Sequence, residues 1–256
     1  MTQFDTVFGQ HVPQLAIFTD FDGTLVERAE NPDDDIAIPD TLTQQLERTA
    51  RELDHAFAVL TGREIADIDR YLAPLQLAVA GGHGRRRADG VMESSDPSAL
   101  LGAEEITQQL QPFVDNHPGL KLENHDGTVG LDFSRVPELE DAANILMEEA
   151  LHSAPDFTLI PGPRIIEARM RGISKGEALR AFMRETPFLG RAPIVIGDDP
   201  SDEDAFIAAQ ELGGVGIKLG EGETAARMRI ADVASVLALL EGLGTIVARD
   251  RENLAH

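Results

Sequence analysis

Leu15-Ala16-Ile17-Phe18-Thr19-Asp20-Phe21-Asp22-Gly23-Thr24-Leu25 opens with four apolar residues and runs into two aspartates, a glycine and a threonine. A short run with both faces apolar suits a strand of a parallel sheet covered by helices on both sides. Side chains alternate along a strand, so Asp20 and Asp22 point the same way, and Gly23 ends the strand. Two carboxylates therefore share one small site. Such a pair can hold a divalent cation, or one member can attack phosphorus while the other moves a proton. A lone D-x-D also suits an acidic turn closing a buried strand, so the downstream turns decide between these readings.

Two more apolar runs end in polar, glycine-containing turns: Phe57 to Leu60 before Thr61-Gly62-Arg63, and Ile194 to Ile196 before Gly197-Asp198-Asp199. Helical patterns separate the runs, with Leu42, Leu46, Thr49 and Leu53 on one face and Ala178, Leu179, Phe182 and Met183 on another. The expected fold class is α/β, a doubly wound parallel-sheet (Rossmann-like) hydrolase core. Ligands bind such sheets beyond the carboxyl ends of the strands, where all three turns belong. From about Asp89 to Arg171 the rhythm becomes αββαββ: helices at 97–116 and 138–152, strands at 120–123, 129–133, 157–160 and 165–168. Strand pairs joined by tight turns imply an antiparallel sheet. The expected domains are a catalytic core, residues 1–88 and 172–256, and an inserted α+β (αββαββ) cap domain, residues 89–171. The last helix carries Val236, Leu237, Leu240 and Leu243.

The net charge of −23 repels nucleic acid and anionic membranes, so neither is an expected partner. The same field opposes an anionic substrate, and a phosphate site therefore needs a metal ion or a few placed cations. Without cysteine there is no disulfide, thiol nucleophile or thiolate metal site. The N-terminal residues lack the charged head and apolar stretch of a signal peptide, and no run approaches a spanning helix. A cytoplasmic protein, monomeric by default, is expected.

Each further turn adds one chemical capability. Thr61-Gly62-Arg63 offers a hydroxyl and backbone N–H groups to an oxyanion. Ser174-Lys175-Gly176-Glu177 reads as a capping box with Ser174 as N-cap and Glu177 returning to the Ser174 backbone. Lys175 then stands at the first helical position, where the helix dipole disfavours a cation unless an anion sits beside it. Gly197-Asp198-Asp199-Pro200-Ser201-Asp202-Glu203 supplies enough oxygen ligands to complete a Mg²⁺ site begun by Asp20 and Asp22.

The combination D-F-D-G-T-L, L-T-G-R, S-K-G and G-D-D-P-S-D-E, in this order, resembles the haloacid dehalogenase-like phosphatase superfamily over nearly the whole chain. The resemblance implies that Asp20 attacks phosphorus to give an aspartyl-phosphate, and that Asp22 protonates the leaving oxygen and then activates water. Lys175 and Mg²⁺ would screen the phosphate charge. Thr61, with the backbone of Gly23, Thr24 and Gly62 and with Arg63, would hold its oxygens. Asp20, the Asp22 carbonyl and Asp198 would bind the metal directly, and Asp199 and Asp202 through water or by orienting Lys175.

Within that superfamily the chain looks most like the trehalose-6-phosphate phosphatases. The supporting residues are Ala80-Gly81-Gly82-His83-Gly84, Glu167-Ala168-Arg169 before Gly172-Ile173-Ser174-Lys175-Gly176, and Gly213-Gly214-Val215-Gly216-Ile217-Lys218. The implied substrate is a small sugar phosphate gripped by His83, Glu123, Glu167, Arg169 and Lys218, since carboxylates and guanidinium groups bind hydroxyls and phosphates bidentately. His125-Asp126-Gly127, Asp132-Phe133-Ser134 and Arg85-Arg86 depart from the family pattern. They leave the chemistry intact but open an alternative sugar phosphate, of the sucrose, glucosylglycerol or mannosylglycerate type. A non-catalytic sugar-phosphate sensor is the alternative of a different class. It has no need of a nucleophile and its acid together.

Overall fold

A computed structural model describes residues 14–28, 36, 38–81, 84–86, 88–94, 97–125, 128–162, 164–170 and 174–254. The chain divides into two compact units, one of Met1–Gly81, Arg85–Glu93 and Ser174–His256, the other of Gly82–Gly84 and Ser94–Ile173.

The larger sheet, in the first unit apart from Gly84 and Ser94, has the strands β1 (Leu15–Thr19), β2 (Phe57–Leu60), β3 (Ala78–Gly81), β4 (Gly84–Arg86) and β5 (Met92–Ser94). Helices α1 (Asp40–Glu52) and α2 (Ile65–Leu72) alternate with the early ones. After an interval in the other unit the chain returns as α5 (Lys175–Phe182), β10 (Ala192–Gly197), α6 (Glu203–Glu211), β11 (Val215–Leu219), β12 (Met228–Ile230) and α7 (Val233–Leu254). The sheet order is β12-β11-β10-β1-β2-β3-β4-β5, and the pairs from β12 to β3 are parallel. All five residues of β1 are buried, as are all six of β10, which requires cover on both faces. Phe18 of β1 meets Phe182 and Phe188 at ring-centroid distances of 5.9 and 5.2 Å. Leu42, Leu46, Thr49 and Leu53 of the α1 segment are buried as their spacing implies.

The sheet grows outward from β1 in both directions, through β2 on one side and β10 on the other. Such a reversal opens a crevice at the carboxyl ends of the central strands. The turns after β1, β2 and β10 all belong to that edge. Strands β3 and β11 do not stand out as strands in the sequence. In β11 the reason is a glycine: a Cβ on Gly216 would come within 2.6 Å of the Phe206 Cβ, so the strand gives up a branched residue to let α6 approach.

In the second unit α3 (Pro97–Asn116) precedes β6 (Lys121–His125) and β7 (Thr128–Asp132), and α4 (Glu140–Leu151) precedes β8 (Phe157–Pro161) and β9 (Ile165–Met170). The four strands form an antiparallel sheet in the order β6-β7-β9-β8. Period-two alternation divides its residues. Val129, Leu131, Ile166 and Ala168 are buried in one core with Ala103, Ile106 and Leu110 of α3 and Ala143, Met147 and Ala150 of α4. The alternate residues, among them Glu123, Thr128, Gly130, Glu167 and Arg169, lie on the other face.

Candidate active site

The turn after β1 curls tightly on Phe21, whose carbonyl accepts the N–H groups of Thr24 at 3.4 Å, Leu25 at 2.9 Å and Val26 at 3.1 Å. Its start is tied to β10 by the Asp20 N–H, which donates to the Ile196 carbonyl at 2.9 Å. Gly23 has a φ of +82°, and a Cβ there would lie 2.3 Å from Asp198 Oδ2. Glycine both permits this conformation and lets the β10 carboxylate close on the turn. The N–H of Gly23 donates to the Val26 carbonyl at 2.8 Å, so the N–H groups of Gly23 and Thr24 have partners within the turn. These are the two N–H groups expected to face phosphate oxygens. The Thr24 hydroxyl donates to Asp198 Oδ1 at 2.9 Å.

Asp20 is 4% exposed, and its Oδ1 lies 3.1 Å from Lys175 Nζ, which also donates to Asp202 Oδ1 at 2.7 Å. Burial pushes the Asp20 carboxyl up to about 7, against the lowering influence of Lys175. Lys175 is raised as well: burial alone would lower it, but the Asp20 and Asp202 carboxylates hold it above its ordinary value. Lys175 stands at the first position of α5, with Ser174 Oγ accepting the Glu177 N–H at 3.2 Å. The expected capping box is half formed, because the Glu177 carboxylate faces Arg180 at 3.4 Å instead.

Asp202 is 1% exposed and its Oδ2 accepts the N–H groups of Asp198 and Asp199 at 3.0 and 3.1 Å. With Oδ1 on Lys175, this carboxylate joins the β10 turn to the lysine. Burial raises its pKa, with Lys175 opposing. A Cβ on Gly197 would sit 2.2 Å from the Asp202 Cγ, which accounts for the glycine at the end of β10. Asp199 caps the short 3-10 turn Pro200–Asp202 by accepting Ser201 N–H and Oγ–H at 2.8 and 2.6 Å. One carboxylate oxygen each from Asp20, Asp198 and Asp202 lie within 4.8 Å of one another. Opposed ligands of a Mg²⁺ ion stand about 4.2 Å apart and are oxygens, so spacing and donor chemistry fit a hard divalent cation.

The Asp22 carboxylate turns from this group to Arg63, receiving Nε at 2.6 Å and Nη2 at 2.8 Å in a bidentate pair. Hydrogen bonding to Asp22 raises the Arg63 pKa. The guanidinium also lies 5.3 Å from the ring centroid of Tyr71, and that ring stacks on Phe21 at 5.9 Å. Thr61 is buried and its hydroxyl accepts the Arg63 N–H at 3.1 Å, leaving its proton to donate; Gly62 beside it faces open space. Lys218 is 5% exposed and donates to the Asp198 carbonyl, which supports the β10 turn.

In the other unit Glu123, Gly130 and Glu167 form one rung across β6, β7 and β9. Arg169, on the same face, lies 3.3 Å from Glu167, and Lys121 pairs with Glu123 at 2.8 Å. Asp132 Oδ1 accepts the Ser134 N–H at 2.7 Å, a local turn at the end of β7. His83 and the Asp126-Gly127 turn lie outside the described residues.

Arg28 is the site residue that the sequence reading misses. Its Nη2 lies 2.8 Å from Asp198 Oδ2, 3.4 Å from Asp199 Oδ2 and 3.3 Å from the Asp22 carbonyl oxygen. Burial would lower its pKa, but Asp198 and Asp199 hold it above the ordinary value. The available signal was a cation eight residues past Asp20 in a strongly acidic chain.

A family model described as trehalose-phosphatase matches residues 18–234. The trehalose-6-phosphate phosphatase of Escherichia coli (strain K12) is 36% identical over 243 residues, covering 94% of this chain and 90% of that protein. A probable trehalose-phosphate phosphatase of Sinorhizobium fredii is 34% identical over 206 residues, covering 80% and 77%. Among solved structures, a trehalose-6-phosphate phosphatase related protein superposes with a TM-score of 0.72 at 28% identity, over 92% of this chain and 99% of that one.

Proposed function

Because the chain belongs to the trehalose-phosphatase family of phosphoric monoester hydrolases, we propose that it hydrolyses trehalose 6-phosphate to trehalose and inorganic phosphate. The observation that carries this reading is a buried carboxylate, Asp20, paired with Lys175 at 3.1 Å inside a group of further carboxylates. An anionic phosphate monoester resists nucleophiles, and its uncatalysed hydrolysis is among the slowest known. A nucleophile flanked by cations answers that difficulty.

The Asp20 carboxylate attacks phosphorus, the bond from phosphorus to the sugar oxygen breaks, and that oxygen takes a proton from Asp22. Asp22 then removes a proton from water, whose oxygen attacks the aspartyl-phosphate; phosphate leaves and Asp20 is regenerated. The bidentate pair with Arg63 occupies both oxygens of the Asp22 carboxyl, so this pair opens before Asp22 hands a proton to the sugar oxygen. Lys175 and the Thr61 hydroxyl face the phosphoryl oxygens. A divalent cation, Mg²⁺ by its chemistry, supplies further positive charge when bound. Asp20, Asp198 and the Asp22 carbonyl would hold it, Asp199 and Asp202 standing around them. Glu123, Glu167 and Arg169 share one sheet face, a placement suited to many hydroxyls.

Phosphate release from a panel of sugar phosphates, with Mg²⁺ and with chelator, tests the assignment. Release confined to trehalose 6-phosphate and Mg²⁺ is expected. A preferred sucrose, glucosylglycerol or mannosylglycerate phosphate would overturn the substrate, and no release from any would overturn the enzyme.

Gly23→Ala should act on both fold and chemistry. The backbone at +82° and the Asp198 oxygen 2.3 Å from the added Cβ cannot both be kept. A loss of about 1–2 kcal/mol in denaturant melts is expected, from strained backbone and a displaced neighbour. Phosphate release should drop roughly 100-fold, a misplaced reacting geometry being costly. Wild-type rates in this variant would show that Asp198 need not approach the turn.

A further inference from the structure

Arg28 follows the turn that ends at Val26, and its side chain is 55% exposed. One nitrogen, Nη2, reaches the Asp198 carboxylate, the Asp199 carboxylate and the Asp22 carbonyl together. Two of these groups, the Asp22 carbonyl and the Asp198 carboxylate, are among those assigned above to the divalent cation. A guanidinium N–H at 2.8 Å takes one of the lone-pair directions of Asp198 Oδ2, an oxygen otherwise open to a metal ion. Two positive centres cannot share that oxygen at contact distance without strong repulsion.

We propose that Arg28 is an internal competitor for the divalent cation: its guanidinium and the ion alternate on Asp198 Oδ2 and the Asp22 carbonyl, so Arg28 sets the cation affinity. The inference rests on the metal assignment above. Exposure makes the exchange feasible, because a half-exposed arginine regains solvation when it leaves. The Asp198 carboxylate keeps the Thr24 hydroxyl at 2.9 Å on its other oxygen, so its orientation does not depend on Arg28. The buried Lys175 has no such freedom: it is held between Asp20 and Asp202 and cannot leave without stranding both. Lys175 and Arg28 thus differ in kind, one permanent and one displaceable.

The test is Mg²⁺ titration of the chelator-stripped full chain by calorimetry, with the Mg²⁺-induced rise in melting temperature as a second readout. Arg28→Gln should bind Mg²⁺ about ten-fold more tightly than wild type, the scale set by breaking an exposed ion pair and removing a nearby positive charge. Arg28→Lys, which keeps the charge but loses the fork, should fall between them. Unchanged or weaker Mg²⁺ affinity in Arg28→Gln, with binding abolished by Asp198→Asn, overturns the competitor role and leaves the metal assignment standing. No Mg²⁺ binding by wild type or either Arg28 variant overturns both.

Discussion

Asp20→Asn should lower phosphate release from trehalose 6-phosphate by about 10⁴-fold or more, on the scale seen when a covalent nucleophile is removed. Asparagine has the size of aspartate but no carboxylate to form the bond to phosphorus. The fold should survive. Asp20 is 4% exposed, and burial already pushes its carboxyl up to about 7, so the protein gives up a charge that its surroundings disfavour. Lys175 keeps its second partner, Asp202 at 2.7 Å. Single-turnover release measured beside a thermal melt separates the two effects. Residual turnover within about ten-fold of wild type, in a folded variant, would remove Asp20 from the role of nucleophile.

Lys175→Met should instead cost stability, about 3–5 kcal/mol at pH 8, because it strands two buried carboxylates 3.1 and 2.7 Å from the lost ammonium. The sign of the pH dependence follows from linkage. Lys175 lowers the pKa values of Asp20 and Asp202, and without it both, already raised by burial, rise further. A carboxyl whose folded pKa exceeds its unfolded value contributes stability that is present below about pH 3.8 and lost as the pH climbs through the folded value. The deficit of the variant should therefore be small near pH 5 and large near pH 8. Adding Asp202→Asn should recover part of the loss, since one stranded charge disappears while an oxygen remains for the Asp198 and Asp199 N–H groups. Urea melts of wild type, single and double variants across this range check the claim. A deficit that does not grow with pH, or no recovery in the double variant, would show that the lysine holds nothing but packing.

The elements that sequence pattern makes visible are those with one dominant local cause. Strands β1, β2 and β10 are legible because a strand buried on both faces is a short unbroken apolar run, and turn residues bound it. The second unit's sheet is legible for the opposite reason, alternation, which also puts Glu123, Glu167 and Arg169 on one face. Strand β11 escapes because its glycine answers to Phe206, a residue distant in sequence. The site divides in the same way. Asp20 and Asp22 are recognisable from their spacing, and Lys175 from its place at a helix start.

By itself the sequence determined a parallel α/β core interrupted by an α+β segment, a carboxylate pair at the end of the first strand, and the family. These depend on patterns within a few residues of one another, where strand and helix periods act directly. Tertiary structure alone decided how the charges are apportioned: Asp20 and Asp202 to Lys175, Asp22 to Arg63, Asp198 to Thr24 and Arg28, and the Asp198 carbonyl to Lys218. Coulomb and hydrogen-bond energies depend on distances of a few ångströms between residues up to 174 positions apart. Those distances exist only after β1 has paired with β10 and β2, and β10 with β11.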